Sequence, residues 1–208
     1  MTTFLLIRHA VNDWVKENKL AGWTPNVHLN ELGNAQAEAL GARLAEVKLK
    51  AVYASPLERT LETAEAIIAH QNGLRVTPLE AIGEVRYGAW QGKKLAHLRR
   101  KKLWDNVQHY PTRVRFPEGE TMRGAQARAV DAIEALHSQH PRQIVALISH
   151  SDVIKMIVAH YLGIHLDLFQ RINISPASIT TLILGSGMPF IYAINDTSHN
   201  PKPEAEAE

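Results

Sequence analysis

Two histidines each close an apolar run: Arg8-His9 follows residues 3–7 and Ser149-His150 follows residues 143–148. Short apolar runs of this kind read as buried strands. In a parallel sheet both pairs would emerge side by side at the carboxyl edge, where open α/β folds hold their ligands. Arg59 and Glu84 also stand just after apolar segments. A guanidinium fork binds an anion, a neutral imidazole can attack as a nucleophile, and a carboxyl can pass a proton. Converging, these groups would make an anion-binding site with a nucleophile and an acid. Singly, each has an ordinary reading. Arg59 can pair with Glu58 or Glu62, Glu84 can be a loop carboxylate, and a lone histidine more often fills surface or core.

The elements that must position these groups are legible as periodicities. A helix is expected from Asn30, which is placed to cap it, with Leu32, Leu40, Leu44 and Val47 on one face. A short buried strand follows over Ala51 to Ala54. Ser55-Pro56 suits the start of a helix whose core side is Leu57, Leu61, Ala64 and Ile68. Residues 121–137 carry a helical period through Ala125, Ala129, Ile133 and Leu136, and another helix from Asp152 buries Val153, Ile157, Val158 and Tyr161. Two late strands are expected near Ile179 to Leu184 and Phe190 to Ile194. Strands alternating with helices predict an α/β fold, a three-layer α/β/α sandwich on a mainly parallel central sheet. Residues 1–197 are expected to form a single domain, and 198–208, with two prolines and alternating Ala and Glu, a disordered tail.

Composition narrows the chemistry. The 208 residues contain no cysteine, which removes thiol nucleophiles, disulfide scaffolds and cysteine-held metals and fits a reducing cytoplasm. The opening apolar run is too short for a signal core or a membrane span, so no membrane association is expected. A net charge of +2 gives no basic surface for nucleic acid. Arg99-Arg100-Lys101-Lys102 is a local exception, read as a solvated helix face unless it borders the site. Eleven histidines invite a metal, but His137 and His140, three apart before Pro141, lack a third ligand and are read as surface residues. No metal and no cofactor are expected. The aromatic residues from Tyr87 to Trp104 are read as core, with a pocket wall as the other option.

The motifs together resemble the histidine phosphatase superfamily, the phosphoglycerate mutase-like proteins, over about residues 3–195. Leu6-Ile7-Arg8-His9-Ala10 resembles its arginine-histidine-glycine signature, and Ser55-Pro56-Leu57-Glu58-Arg59-Thr60 through Ala64 is similar to its second phosphate-binding segment. Gly22-Trp23-Thr24-Pro25 and Leu29-Asn30-Glu31-Leu32-Gly33 resemble the segment before its first long helix. Glu84, with Tyr87-Gly88 and Trp90-Gln91-Gly92, resembles the segment of its acid, and Ser149-His150-Ser151-Asp152 that of its second histidine. The resemblance implies His9 as the phosphoryl-accepting nucleophile and Glu84 as the proton donor. Arg8, Arg59 and His150 are implied as phosphate ligands. Ala10 and Ser151 replace glycines of the pattern, and Val15 stands where many members have a phosphate-contacting asparagine. Asn12 could supply a contact from the same loop, and Tyr87 is a second candidate for substrate binding.

Chemistry up to a phosphohistidine is common to hydrolases and mutases. The short stretch between Glu84 and Thr121 favours a phosphomonoesterase acting on a small phosphorylated metabolite. A phosphoglycerate mutase, with Arg86, Arg113 and Arg115 open to a second anionic group, is the alternative. A non-catalytic phospho-ligand binding protein is a further one. A homodimer is left open.

Overall fold

The computed structural model describes residues 1–201, and residues 202–208 of the expected tail lie outside the described part. In chain order its elements are β1 (Thr2–Arg8), the one-turn α1 (Asp13–Lys16), α2 (Glu31–Leu44), β2 (Leu49–Ala54), α3 (Glu58–Ile68) and β3 (Val76–Pro78). Two short helices follow, α4 (Leu95–Leu98) and α5 (Lys102–His109), then α6 (Met122–Gln139), β4 (Ile144–Ser149), α7 (Ser151–Tyr161), β5 (Ile179–Leu184) and β6 (Phe190–Asp196). The strands form one sheet in the order β3-β2-β4-β1-β5-β6. β1 to β4 run parallel, and β5 and β6 are added antiparallel.

Alternation along the central strands explains the layers. Phe4 and Leu6 of β1, with Val145 and Leu147 of β4, face α6 and α7, whose Ala129, Ile133, Val153 and Ile157 complete one apolar cluster. Leu5, Ile7, Ala146 and Ile148 point the other way, onto Leu40 and Leu44 of α2 and Ala64 and Ile67 of α3. Both faces of a parallel sheet are thus buried, and the middles of its central strands, Phe4 to Ile7 and Ile144 to Ile148, are apolar. The expected sandwich is what forms.

Asn30 caps α2 by accepting a hydrogen bond from the Gly33 amide at 2.9 Å. The buried stripe of that helix is Gly33, Ala37, Leu40, Gly41 and Leu44, so Leu32, expected inside, is exposed instead. Small residues decide this, because α2 lies too close to its neighbours for larger ones. A Cβ on Gly33 would sit 2.0 Å from the Val11 carbonyl oxygen, and one on Gly41 would sit 2.5 Å from that of Ala66 in α3. Gly41→Ala should therefore lower stability by about 2 kcal/mol, as overpacking does, in spite of about 1 kcal/mol gained in helix propensity. Thermal melting should show a loss of roughly 4–8 °C, and a Tm at or above wild type would contradict this packing.

α3 begins at Glu58, with Leu57 at the capping position and no side-chain cap, so Ser55 does not start the helix. Its inward face is also rotated from the expected one: Arg59, Thr60, Thr63, Ala64 and Ile67 are buried, while Leu61 and Ile68 are only half-buried. The two threonines turn in because their hydroxyls are satisfied there. The Thr60 hydroxyl oxygen lies 2.7 Å from the Ser55 carbonyl, and the Thr63 hydroxyl donates to Arg59 O at 2.7 Å and accepts the Ala10 amide at 3.1 Å. His137 and His140 are half-buried rather than surface residues. His137 Nδ1 bonds the Thr2 hydroxyl, and His140 bonds Gln143 and Tyr53. At the start of the expected tail, His199 Nε2 donates to Ala177 O at 2.8 Å and Asn200 to Pro176 O at 3.2 Å.

Candidate active site

The register of β1 on β4 sets Arg8 opposite Ser149, and the His9 amide continues the ladder to Ser149 O at 3.0 Å. Both histidines therefore leave the sheet at one level. Their rings meet edge-on with centroids 5.2 Å apart. His9 Nδ1 lies 2.7 Å from the Ala10 carbonyl oxygen, which can only accept, so Nδ1 carries the proton and Nε2 is left with its lone pair. Burial, and then the Arg59 and Arg8 charges, hold the His9 pKa well below its usual value, which keeps the ring neutral. Burial and Arg59 do the same to His150. His150 Nε2 is 2.8 Å from the Ser55 hydroxyl, and its Nδ1 is 3.4 Å from Arg59 Nη2.

The two arginines are fixed from opposite sides. Arg8 donates through Nη1 to Ile174 O at 2.7 Å, from the loop that leads into β5. Ala177 in that loop has φ of 54° and sends its amide to Arg8 O at 3.1 Å, so the loop is folded tightly over the end of β1. Arg59, 1% exposed, reaches from the first turn of α3 and donates through Nη2 to Gly22 O at 2.9 Å. Among the described residues, Arg8 Nε and Arg59 Nη1 are buried with no hydrogen-bond partner. Buried donors are seldom left unsatisfied, and two guanidinium donors in one cavity with His9 suit the oxygens of a tetrahedral anion.

Glu84 lies in the irregular segment after β3. Its carbonyl oxygen accepts from Trp23 Nε1 at 2.6 Å and from Arg128 Nη2 at 3.0 Å, which fixes the backbone. Its carboxylate accepts the Val85 amide at 2.9 Å and comes within 3.8 Å of His150 Nδ1. Burial first, and Asp152 second, push its pKa up to about 7 against the pull of Arg59 and Arg8. A carboxyl poised near neutrality suits proton transfer.

Arg8, His9, Arg59 and Glu84 line one cavity of about 120 Å³, whose outer wall is Asn12, Trp14, Val15, Lys19, Leu20, Ala21 and Gly22. Asn12 is in the wall, with Oδ1 taken up in capping α1 through the Val15 amide at 3.1 Å. Val15 is partly exposed at the mouth. Ala10 and Ser151 fit without distortion: the Ala10 methyl packs with Ala37 and Ala177, and the Ser151 hydroxyl donates to Ile174 O at 3.3 Å. Tyr87 is outside the cavity lining. It is buried edge-on to Phe116 and donates its hydroxyl to Asp152 Oδ2 at 3.0 Å. Trp90 is core as well. Arg86 stacks on Trp23 and pairs with Glu80, Arg113 lies over Tyr110, and Arg115 is exposed, so none of the three lines the cavity. Arg99 to Lys102 border a separate surface depression between α4 and α5.

Sequence reasoning missed Ser55, Asp152 and the wall residues Trp14 and Lys19. Ser55 carried a signal, its place in the Ser55-Pro56 segment, but that signal was read as helix capping. No three His, Asp or Glu side chains are grouped as metal ligands among the described residues.

With this geometry in place, comparison with known proteins is direct. Residues 4–197 match the histidine phosphatase superfamily (branch 1). The chain belongs to that superfamily, and it is an enzyme of the phosphatase and phosphomutase class. It is 28% identical to phosphoserine phosphatase 1 of Hydrogenobacter thermophilus, covering 96% of this chain and 94% of that protein. It is 29% identical to a 2,3-bisphosphoglycerate-dependent phosphoglycerate mutase of Bartonella tribocorum, over 94% of each. In three dimensions it superposes on Bacillus stearothermophilus YhfR with a TM-score of 0.90 at 28% identity, over 97% of this chain and all of that one. No helix among the described residues is long and apolar enough to cross a membrane.

Proposed function

We propose that the protein is a phosphomonoesterase acting on a small phosphorylated metabolite through a phosphohistidine on His9 Nε2. The observation that carries this reading is the pair of buried, unpartnered guanidinium donors, Arg8 Nε and Arg59 Nη1, whose residues line one cavity with an imidazole whose free lone pair is on Nε2. The phosphoryl oxygens sit between the two arginines, where their charge is neutralised. His9 Nε2 attacks phosphorus as the P–O bond to the alcohol breaks, and Glu84 gives its proton to the departing oxygen. Water then attacks the phosphohistidine, losing a proton to Glu84 as the N–P bond breaks, and inorganic phosphate leaves. His150 accepts from Arg59 Nη2 through Nδ1 and donates through Nε2 to the Ser55 hydroxyl, so in this arrangement it serves the phosphoryl group by holding the Arg59 guanidinium.

Hydrolysis rather than mutation is supported by what lies beyond the reacting group. A mutase must exclude water and grip the carboxylate of glycerate. The outer wall here offers one cation, Lys19, whose ammonium is already paired with Glu17 and sits 5.4 Å over Trp14. The curated relatives include both a phosphoserine phosphatase and phosphoglycerate mutases, so the two outcomes are measured against each other. With 3-phosphoglycerate as substrate, phosphorus NMR of one sample should record inorganic phosphate in excess of 2-phosphoglycerate. Isomerisation ahead of phosphate release by tenfold, about 1.4 kcal/mol in favour of glycerate over water, would make the protein a mutase.

A further inference from the structure

Among the described residues the Arg8 guanidinium makes one hydrogen bond to the protein, from Nη1 to Ile174 O at 2.7 Å. Its aim therefore follows that carbonyl. A peptide unit is planar, so the direction of Ile174 O is fixed together with that of the Ser175 N–H at the other end of the same unit. The Ser175 amide donates to Asn195 Oδ1, in the edge strand β6. One rigid plate thus has Arg8 on one side and Asn195 on the other. The next unit but one repeats the arrangement, because Pro176 O accepts from Asn200 Nδ2 at 3.2 Å while the Ala177 amide donates to Arg8 O at 3.1 Å. The buried Ile174 side chain places the first unit, but rotation about the bonds that flank it is closed by the Ser175 hydrogen bond. Asn195 is itself held for this. Its φ of 59° lies in the left-handed region that asparagine tolerates better than most side chains, and its amide donates to Thr180 Oγ1 at 3.1 Å. The pairing of β5 with β6 shifts register at the same place, between Ile179 and Thr181. Irregularities of this kind re-aim a side chain.

We propose that Asn195 is a positioning residue that aims the Arg8 guanidinium into the cavity through the Ile174–Ser175 peptide unit, with Asn200 bracing the same loop through the Pro176–Ala177 unit. This rests on the reading of Arg8 as a phosphate ligand. Asn195 does not line the cavity and touches no reacting atom. It acts through one planar group, whose oxygen holds Arg8 and whose N–H it holds in turn. The last strand of the sheet, added antiparallel outside the parallel core, is in this way part of the phosphate clamp.

The test is a double-mutant cycle on the full chain, read both as kcat/KM for β-glycerophosphate and as the Kd of vanadate, a phosphate analogue. Asn195→Gly keeps the left-handed backbone and removes the acceptor. It should lower kcat/KM and weaken vanadate by about tenfold, since a misplacement of about 1 Å can cost about 100-fold. Asn195→Asp returns an acceptor oxygen to the Ser175 amide and should restore most of both. In an Arg8→Met background, Asn195→Gly should change neither quantity, because two residues that act through one group do not add. A purely structural role would carry the same loss in both backgrounds, and that result, or full activity in Asn195→Gly, overturns the assignment. Should Asn195→Gly not fold, Asn200→Ala carries the same cycle with a smaller loss expected, and an equal loss in both backgrounds, or none, overturns it. If vanadate binding follows the cycle while wild type releases no phosphate from the ester, the positioning of Arg8 stands and the phosphomonoesterase reading fails.

Discussion

His9→Ala is expected to lose more than about 10⁴-fold in kcat/KM, because in the proposed mechanism it removes the atom that forms the covalent bond and nothing beside it can replace that atom. Among the described residues His150 is the imidazole that meets His9, and it is fully buried with Nε2 held by Ser55. Stability should barely change. The His9 ring makes one hydrogen bond, to Ala10 O, and borders the cavity, so its removal enlarges a space already open to water instead of emptying the core. Thermal melting should stay within about 4 °C of wild type, the shift expected for roughly 1 kcal/mol in a chain of this size. Rapid quench with labelled substrate separates the two histidines. Acid-labile phosphate on the protein should vanish in His9→Ala and persist at a reduced rate in His150→Ala. The opposite pattern would make His150 the nucleophile.

Much of this arrangement was legible in the sequence because strand ends are. Residues 4–7 and 144–148 are apolar at every position, which in a sheet covered on both faces is the mark of a central strand, and the polar pair that ends each run must then sit at one edge. The capping of α2 by Asn30 was legible for a similar reason: an Asn side chain at that place has a local partner. What was not legible depended on distances between helices. Leu32 looked like core until Gly33 and Gly41 drew α2 close enough to exclude a larger stripe. The inward face of α3 was misjudged because apolar residues were assumed to define it. Arg59, Thr60 and Thr63 are polar and buried: the two threonine hydroxyls find carbonyls three to five residues back along the chain, and Arg59 finds Gly22 O, which only the tertiary fold brings near. Ser55 belongs to the same class, since its partner His150 is 95 residues away. Asp152 could be seen only as one letter in a motif. Its relation to Tyr87 and Glu84 arises where α7 packs against the segment after β3.

Arg59→Met is expected to separate function from stability in opposite directions. Arg59 is 1% exposed and has no carboxylate in hydrogen-bond contact, and one of its two terminal nitrogens has no partner among the described residues. A buried charge held this loosely carries a desolvation cost that its Gly22 hydrogen bond does not offset. Burial lowers its pKa for the same reason. Methionine fills a similar volume without the charge, so the variant should be as stable as wild type or more so, by up to about 4 kcal/mol, the range seen when buried ionic groups give way to apolar ones. In a chain of this length that is a rise of about 2–4 °C in Tm for each kcal/mol. Turnover should fall by about 3 kcal/mol, the loss typical of one strong electrostatic donor to a charged transition state, which is on the order of 150-fold. Vanadate, as a phosphate analogue, supplies the control. At about 100 times its Kd it should stabilise wild type by about 2.7 kcal/mol by mass action and stabilise the variant far less. A lower Tm together with an unchanged response to vanadate would mean that Arg59 holds the fold rather than the phosphoryl group.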